Sequence, residues 1–284
     1  MRCGRFGVMQ GRLLPKYRGR YQAHPVDTWR DEFPIAAQLG LGLIEFIVDL
    51  EDAQRNPFMR DSGADEILPL QEKTGVNVRT VCADYFMDAP LHGVSDSAAQ
   101  DSARALERIL RVSARLGVQD VVIPCVDRSR FKCPEDRDEF VARLLPLADI
   151  AARHGIRLSL ETDLAPEPFA ELLERFPPAV VTVNYDTGNS ASLGFDPTRE
   201  FAAYGRRISD VHIKDRTLGG GSVILGTGVV DFKRVFALLA EVSYGGPLIM
   251  QAFRDDEGLA VFKRQLDWIR PLADSLASEK DPAC

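Results

Sequence analysis

Three short segments of the chain place an ionisable residue directly after a run of apolar residues. Glu161 lies in LSLETD, Asp186 in VNYDTGN and His212 in DVHIKDR. Two carboxylates and one imidazole suit a divalent cation such as Mn²⁺, Mg²⁺, Co²⁺ or Zn²⁺ better than a metal that prefers thiolates. The same residues fit a second interpretation, in which the carboxylates pair with Lys214 and Arg216 and His212 is a hydrogen-bonded core residue. The spacing alone does not decide between the two.

Eight short runs rich in β-branched and other apolar residues carry these polar groups and predict strands. Between them lie helical patterns with apolar residues at i, i+3, i+4 and i+7, among them 101–117, 136–155 and 231–246. The predicted strands are 6–11, 42–50, 76–84, 118–127, 156–163, 180–189, 208–215 and 247–253.

Glycines that follow several helical patterns predict where those helices end. Gly40, Gly117, Gly155 and Gly245 each stand shortly before the next strand, in a position typical of a C-cap. Apolar strands that alternate with helices predict an α/β fold, a closed (β/α)8 TIM barrel. A doubly wound open sheet is the alternative, although no GxGxxG follows the first strand. We expect residues 1–284 to form one such domain.

Composition argues against several classes of protein. The 284 residues include 35 basic and 42 acidic side chains, a formal charge of −7, which disfavours a nucleic acid as partner. No stretch reaches the ~18 apolar residues of a membrane span, and the first residues lack the apolar centre of a signal peptide. The five cysteines form no CxxC pair, which disfavours a disulfide framework or a zinc knuckle. We therefore expect a cytoplasmic protein without a membrane partner, and a homo-oligomer stays open.

Polar residues at the strand ends should meet in space. In a parallel barrel the carboxyl ends of all strands open onto one face, so side chains far apart in sequence converge there. Carboxylates dominate this set, as a site for a small polar substrate and a cation would require. Its members are Gln10, Glu45, Asp49, Asp84, Asp127, Glu161, Asp163, Asp186, Asn189, His212, Lys214, Asp215 and Gln251.

The second half of the chain resembles the xylose isomerase-like TIM-barrel superfamily. The segments that carry the resemblance are LSLETD, NYDTGNS, DVHIKDR and LGTGVVDFKRVFALLAEVSYGGPLIMQAF, within residues 150–255. They contain, in order, H-x-K-D, a glycine-rich loop, G-x-G-x-x-D-F, a helix and Y-x-G-P. MQGRL and IEFIVD in the first half agree more loosely. Within the superfamily the sequence is similar to sugar phosphate isomerases and epimerases of the L-xylulose 5-phosphate 3-epimerase and hexulose-6-phosphate isomerase type.

This resemblance implies a sugar or sugar phosphate isomerase or epimerase that depends on one divalent metal ion. Glu161, Asp186 and His212 take the places of three metal ligands, and Gln251 takes the place of a fourth, which is a glutamate in the superfamily. An amide oxygen can bind a metal but has no useful basicity. Glu161 is then the catalytic base beside a carbonyl, with the metal stabilising the enediolate. A single base fits isomerisation, or a dehydration resembling that of inosose dehydratase.

Further residues at the strand ends are expected to act on the substrate. Lys214 supports a neighbouring carboxylate or polarises a substrate oxygen. Asp84 or Glu45 would have to replace the missing base if the reaction is a two-base epimerisation. Asp215 and Arg216 begin a loop that meets the substrate, or form an ion pair at its rim. Hydrogen-bond partners for hydroxyl, phosphate or carboxylate groups of the substrate are expected at Gln10, Arg12, Asn189 and Arg254.

Two alternatives come from other functional classes. The DNA-repair endonucleases of the same fold use several histidines for a multi-zinc site, which four histidines and a negative net charge do not favour. A non-catalytic sugar-binding protein is the second alternative, because Gln251 stands where a base is expected.

Overall fold

Eight parallel strands close into a barrel, as the sequence predicts. The structure, a computed structural model, describes residues 6–278. Neighbours around the barrel follow the order of the chain, and the first strand pairs with the last. The strands are β1 (Phe6–Met9), β2 (Leu43–Ile47), β3 (Asn77–Cys82), β4 (Asp120–Cys125), β5 (Arg157–Thr162), β6 (Val181–Asp186), β7 (Ile208–Ile213), β8 (Asp215–Arg216), β9 (Ser222–Val223) and β10 (Leu248–Met250).

Strands β8 and β9 were not predicted and form a separate antiparallel pair after β7. Helices lie between the barrel strands and pack on their outer faces. Among residues 6–278, no helix combines the length and the apolar character that crossing a membrane requires. The helices are α1 (Glu32–Gln38), α2 (Gly63–Thr74), α3 (Tyr85–Asp88), α4 (Asp96–Leu116), α5 (Pro134–Arg153), α6 (Pro166–Glu174), α7 (Thr187–Ser192), α8 (Pro197–Tyr204), α9 (Phe232–Glu241) and α10 (Leu259–Ser278).

Three of the four predicted glycine caps have the left-handed backbone that favours glycine. Gly40, Gly117 and Gly155 have φ angles of 68°, 73° and 67°. The prediction for Gly245 is wrong, because α9 ends earlier and Ser243 takes the left-handed position with φ 58°. The N–H of Tyr244 donates to Leu239 O and that of Ser243 to Ala240 O, which is a Schellman motif built without glycine.

The amino-terminal end of the barrel is filled by a polar network. Asp120 on β4 accepts hydrogen bonds from the Arg157 side chain, with distances of 2.8 and 2.5 Å, and from the hydroxyl of Ser159 at 2.8 Å. Ser209 on β7 donates to the same carboxylate at 2.6 Å. Asp120 is fully buried. Its ion pair and hydrogen bonds account for this burial, so the network fits a structural role.

The described cysteines are free thiols, namely Cys82, Cys125 and Cys133. Burial raises the pKa of Cys82 and of Cys125 well above the usual range of a thiol. Cys3 and Cys284 lie outside the described residues.

Candidate metal and substrate site

The carboxyl ends of the strands open into a cleft of about 290 Å³. Both halves of the barrel contribute polar side chains to its wall. Of the residues predicted to act on metal or substrate, the cleft is lined by Asp84, Glu161, Asn189, Lys214, Arg216 and Gln251.

Glu161, Asp186 and His212 meet where Glu161 lines the cleft. They come from the successive strands β5, β6 and β7, and Asp186 and His212 are direct partners in the strand pairing. One ligand atom from each residue lies within 4.8 Å of the other two. A single divalent cation at ~2.0–2.5 Å from each of three ligand atoms requires such spacing. Two carboxylates and an imidazole in this arrangement therefore fit a metal ion.

Two amide side chains hold the carboxylate of Glu161. Asn189 Nδ2 donates to Oε1 at 2.5 Å, and Asn184 Nδ2 donates to Oε2 at 2.9 Å. Burial raises the pKa of Glu161 to about 7, and the charge of Asp186 acts in the same direction. A pKa raised in this direction suits a general base.

Asn184 also lies beside His212. Its Nδ2 is 3.0 Å from His212 Nδ1, and Nδ1 is 3.6 Å from Glu161 Oε2. The same amide therefore contacts both the carboxylate and the imidazole of the site. Asn184 was not predicted as a site residue. Its signal is a polar residue two positions before Asp186 in an apolar strand, and therefore on the same face.

Lys214 and Gln251 stand next to Asp186. The Lys214 ammonium lies 3.2 Å from Asp186 Oδ2 and donates to Gln251 Oε1 at 3.0 Å. Asp186 Oδ1 accepts from the backbone N–H groups of Gly188 and Asn189, which caps α7 and fixes the carboxylate. The amide oxygen of Gln251 thus faces the same side of the cleft as Asp186.

A second group of carboxylates lies on the other side of His212. We call Glu161 and Asp186 the cleft pair, and Glu45 and Asp210 the enclosed pair. Ligand atoms of the enclosed pair and of His212 also lie within 4.8 Å of one another. His212 Nε2 is 2.8 Å from Glu45 Oε1, but outside the direction of a hydrogen bond. Both residues of the enclosed pair are fully buried.

The structure corrects the prediction that Glu45 contacts the substrate. In the described part of the chain, neither oxygen of Glu45 has a hydrogen-bond partner. Burial raises the pKa of Glu45 to about 8 and that of Asp210 well above the usual range of a carboxyl group. A proton shared by these two groups would satisfy both. Glu45 lies below His212 because β2 ends at Ile47, which leaves Glu45 two residues inside the strand.

Gln10, Arg12 and Arg254 also lie outside the cleft wall, contrary to prediction. Gln10 Oε1 accepts from the backbone N–H of Ile47 and lies 2.8 Å from His24 Nδ1. The Arg254 guanidinium donates to backbone carbonyls, those of residues 11 and 14. Arg12 donates to the carbonyl of residue 252 and to an amide side chain. Each is almost wholly buried, and the two guanidinium groups are bound within the protein.

Asp215 holds a loop instead of meeting the substrate, whereas Arg216 reaches the cleft. The Asp215 carboxylate is fully buried and accepts from the backbone N–H groups of Gly226, Gly228 and Val230. Neither predicted role of Asp215, substrate contact or ion pair at the rim, fits this arrangement. Arg216 donates instead to Asn189 Oδ1 at 2.8 Å and to a backbone carbonyl.

Gln22 is a cleft residue that was not predicted from the sequence. It follows β1 in a long loop without regular pattern, and its side chain lies between Gln251 and Asp84. No local feature of the sequence indicates this position. Arg20, Asp49 and Arg128 also line the cleft.

Known proteins share this barrel. L-ribulose-5-phosphate 3-epimerase UlaE of Salmonella paratyphi A is 24% identical over 260 residues, 86% of this chain and 89% of that protein. The apo structure of 3-keto-D-glucoside 4-epimerase YcjR from E. coli matches with a TM-score of 0.73 and 18% identity, over 94% of this chain and 99% of the other. A xylose isomerase-like TIM-barrel protein from Mycobacterium smegmatis in complex with magnesium matches with a TM-score of 0.70 and 18% identity, over 96% of this chain and 97% of the other. The family model described as xylose isomerase-like TIM barrel matches residues 33–272. The chain belongs to this family.

Proposed function

We propose that the protein is a metal-dependent isomerase or epimerase that acts on a small ketose or its phosphate. The observation that carries this proposal is the convergence of Glu161, Asp186 and His212 at the point where Glu161 lines the cleft. The relatedness to a protein named as a sugar phosphate epimerase supports the class of substrate.

One divalent cation, Mn²⁺, Mg²⁺, Co²⁺ or Zn²⁺, would be held by Glu161, Asp186 and His212, with the amide oxygen of Gln251 as a further ligand. These ligands do not single out one of the four ions. When bound, the cation would polarise the carbonyl of the ketose and stabilise the negative charge that develops on its oxygen.

Glu161 is the base in this mechanism. It removes the proton from the carbon beside the carbonyl and thereby gives an enediolate, while Asn184 and Asn189 keep its oxygens in place. Lys214 neutralises part of the charge of Asp186 and keeps its ammonium near the developing oxyanion. Asn189 and Arg216, on the cleft wall, are suited to hydroxyl or phosphate groups of the substrate.

A solvent-exchange experiment tests this function. The protein is stripped with EDTA, reloaded with each of the four cations and incubated in D₂O with L-ribulose 5-phosphate or L-ribulose. We expect NMR to show deuterium at the carbon next to the carbonyl, together with an isomer or epimer, in the reloaded protein only. Loss of water from the substrate would indicate a dehydratase, and binding without exchange would indicate a sugar-binding protein.

A further inference from the structure

Epimerisation at a carbon beside a carbonyl needs two groups on opposite faces of the substrate. One group removes a proton and the other returns one, so that the configuration inverts. Glu161 can serve one face only. Gln251 cannot serve the other, because an amide neither takes up nor releases a proton near neutral pH.

Asp84 and Glu161 lie in the wall of the same cleft. Asp84 follows the end of β3, two residues after Cys82, and Glu161 belongs to β5, two strands away around the barrel. Strands two places apart are separated by roughly 9–10 Å. Because both carboxylates line the same cleft, a carbon chain can lie between them.

A chain of hydrogen bonds connects Asp84 to the metal side of the cleft. Lys214 donates to Gln251 Oε1 at 3.0 Å, and Gln251 Nε2 donates to Gln22 Oε1 at 3.1 Å. Gln22 Nε2 in turn donates to Asp84 Oδ2 at 2.7 Å. A carboxylate at position 251 could not donate to Gln22, so this connection requires the amide.

Charged donors fix the direction of both amides. Lys214 holds the oxygen of Gln251, and Arg12 Nη2 donates to the oxygen of Gln22 at 2.9 Å. The nitrogen of Gln22 must therefore face Asp84. The thiol of Cys82 donates to the second oxygen of Asp84 at 3.2 Å. Each oxygen of this carboxylate thus has one donor, while the side chain stays partly exposed to the cleft.

The other carboxylates near the first three strands are less suited to this task. Glu45 is fully buried below His212 and cannot reach a substrate. Asp49 is 5% exposed, and its Oδ2 accepts from the backbone N–H of His24 and lies near Arg20. In contrast to Asp84, no hydrogen bond in the described residues connects Asp49 to Gln22 or Gln251.

We propose that Asp84 is the second proton-transfer residue, on the face of the substrate opposite Glu161, and that Gln22 and Gln251 position it. This proposal rests on the proposed function. In one direction Asp84 removes the proton, the electron pair moves to the carbonyl oxygen, and Glu161 adds a proton to the other face. In the reverse direction the two residues exchange roles. Each turnover takes one proton from the substrate and returns one, and no oxidant or reductant is needed.

The experiment uses the Mn²⁺-loaded full-length protein and the two C3 epimers, L-ribulose 5-phosphate and L-xylulose 5-phosphate, in D₂O. NMR records deuterium at C3 in the recovered substrate and the formation of the other epimer. For Asp84→Asn we expect inversion to fall by about 10²–10⁴-fold. Exchange should persist in the epimer whose C3 hydrogen faces Glu161 and be lost in the other epimer. Mn²⁺ affinity should stay unchanged, because Asp84 does not bind the ion.

Gln22→Leu provides a second variant should Asp84→Asn fold poorly. We expect it to lower inversion by up to about 10²-fold with the same difference between the epimers, because Asp84 loses the donor that places it. The matched control is Asp138→Asn, which alters an exposed aspartate of α5 that pairs with Arg175 away from the cleft. This control should invert both epimers as the wild type does.

The outcomes separate this assignment from the proposed function. Wild-type protein that exchanges neither epimer would overturn both. Normal inversion by Asp84→Asn, or its loss in Asp49→Asn instead, would overturn the assignment of Asp84 and leave the proposed function intact. Equal loss of exchange in both epimers with unchanged Mn²⁺ affinity would also contradict it, since one base would then serve both faces.

Discussion

The cleft pair and the enclosed pair use the same kinds of residue on opposite sides of one imidazole, yet their surroundings differ. Glu161 and Asp186 lie beside the cleft, and amide or backbone donors hold three of their four oxygens, while the fourth lies near the Lys214 ammonium. Within the described residues, both oxygens of Glu45 and one of Asp210 have no hydrogen-bond partner, and no solvent reaches either residue.

This difference shows that carboxylates near a histidine do not by themselves identify a working metal site. Oriented donors hold the oxygens of the cleft pair in place for a cation. Complete burial disfavours the charged form of the enclosed pair, which raises the pKa of Glu45 to about 8. We therefore expect the cleft pair to bind metal and perform chemistry, and the enclosed pair to support His212 from below.

The largest effect is expected from the same substitution made in each pair. Glu161→Gln should keep the fold but lower turnover by about 10²–10⁴-fold, because it removes the base. Glu45→Gln should lower the metal affinity by no more than the ~10–100-fold that is typical when a residue beside a metal ligand is changed. Saturating Mn²⁺ should therefore restore the activity of this variant. Rates of deuterium exchange at a series of Mn²⁺ concentrations compare the two. Near-normal activity of Glu161→Gln would assign proton removal to another residue.

A second comparison concerns two residues of the metal site. His212→Ala should weaken Mn²⁺ binding by more than Gln251→Ala, because a neutral amide is usually the weaker ligand for a transition metal. The loss in His212→Ala should also exceed the ~10–100-fold typical of an outer-shell change. Calorimetric titration of both variants decides the order. A larger loss in Gln251→Ala would reverse the assignment.

The smallest effect concerns stability and pH. In the native state the pKa of Glu45 is raised from 4.5 to about 8, so the folded protein holds a proton between these values that the unfolded chain releases. Stability of the metal-free protein should therefore fall as pH rises through this window. One such group contributes a slope of at most ~1.4 kcal/mol per pH unit. Urea unfolding between pH 7 and 8 should show a smaller slope for Glu45→Gln, and an unchanged slope would mean that Glu45 is charged when buried.

The sequence allowed the barrel and the meeting of Glu161, Asp186 and His212 to be predicted, because the signals are local. Glu161, Asp186 and His212 each interrupt an apolar strand near its end, and neighbouring parallel strands bring such residues together. Glu45 was expected at the cleft because the end of β2 could be predicted only to within a few residues. Such a difference decides whether a side chain lies in the cleft or in the barrel interior. Gln22 could not be predicted, since a long loop is positioned by tertiary contacts such as the one with Arg12.

Mn²⁺ binding to a matched pair of variants tests the central claim most directly. Asp186→Asn and Asp210→Asn each remove one carboxylate oxygen, one from the cleft pair and one from the enclosed pair, with little change in volume. Equilibrium dialysis with EPR detection of free Mn²⁺ gives the number of bound ions and their affinity. We predict one ion per chain in the wild type and in Asp210→Asn, and a large loss of affinity in Asp186→Asn. Tight binding by Asp186→Asn together with loss in Asp210→Asn would place the ion among the enclosed carboxylates and contradict the account.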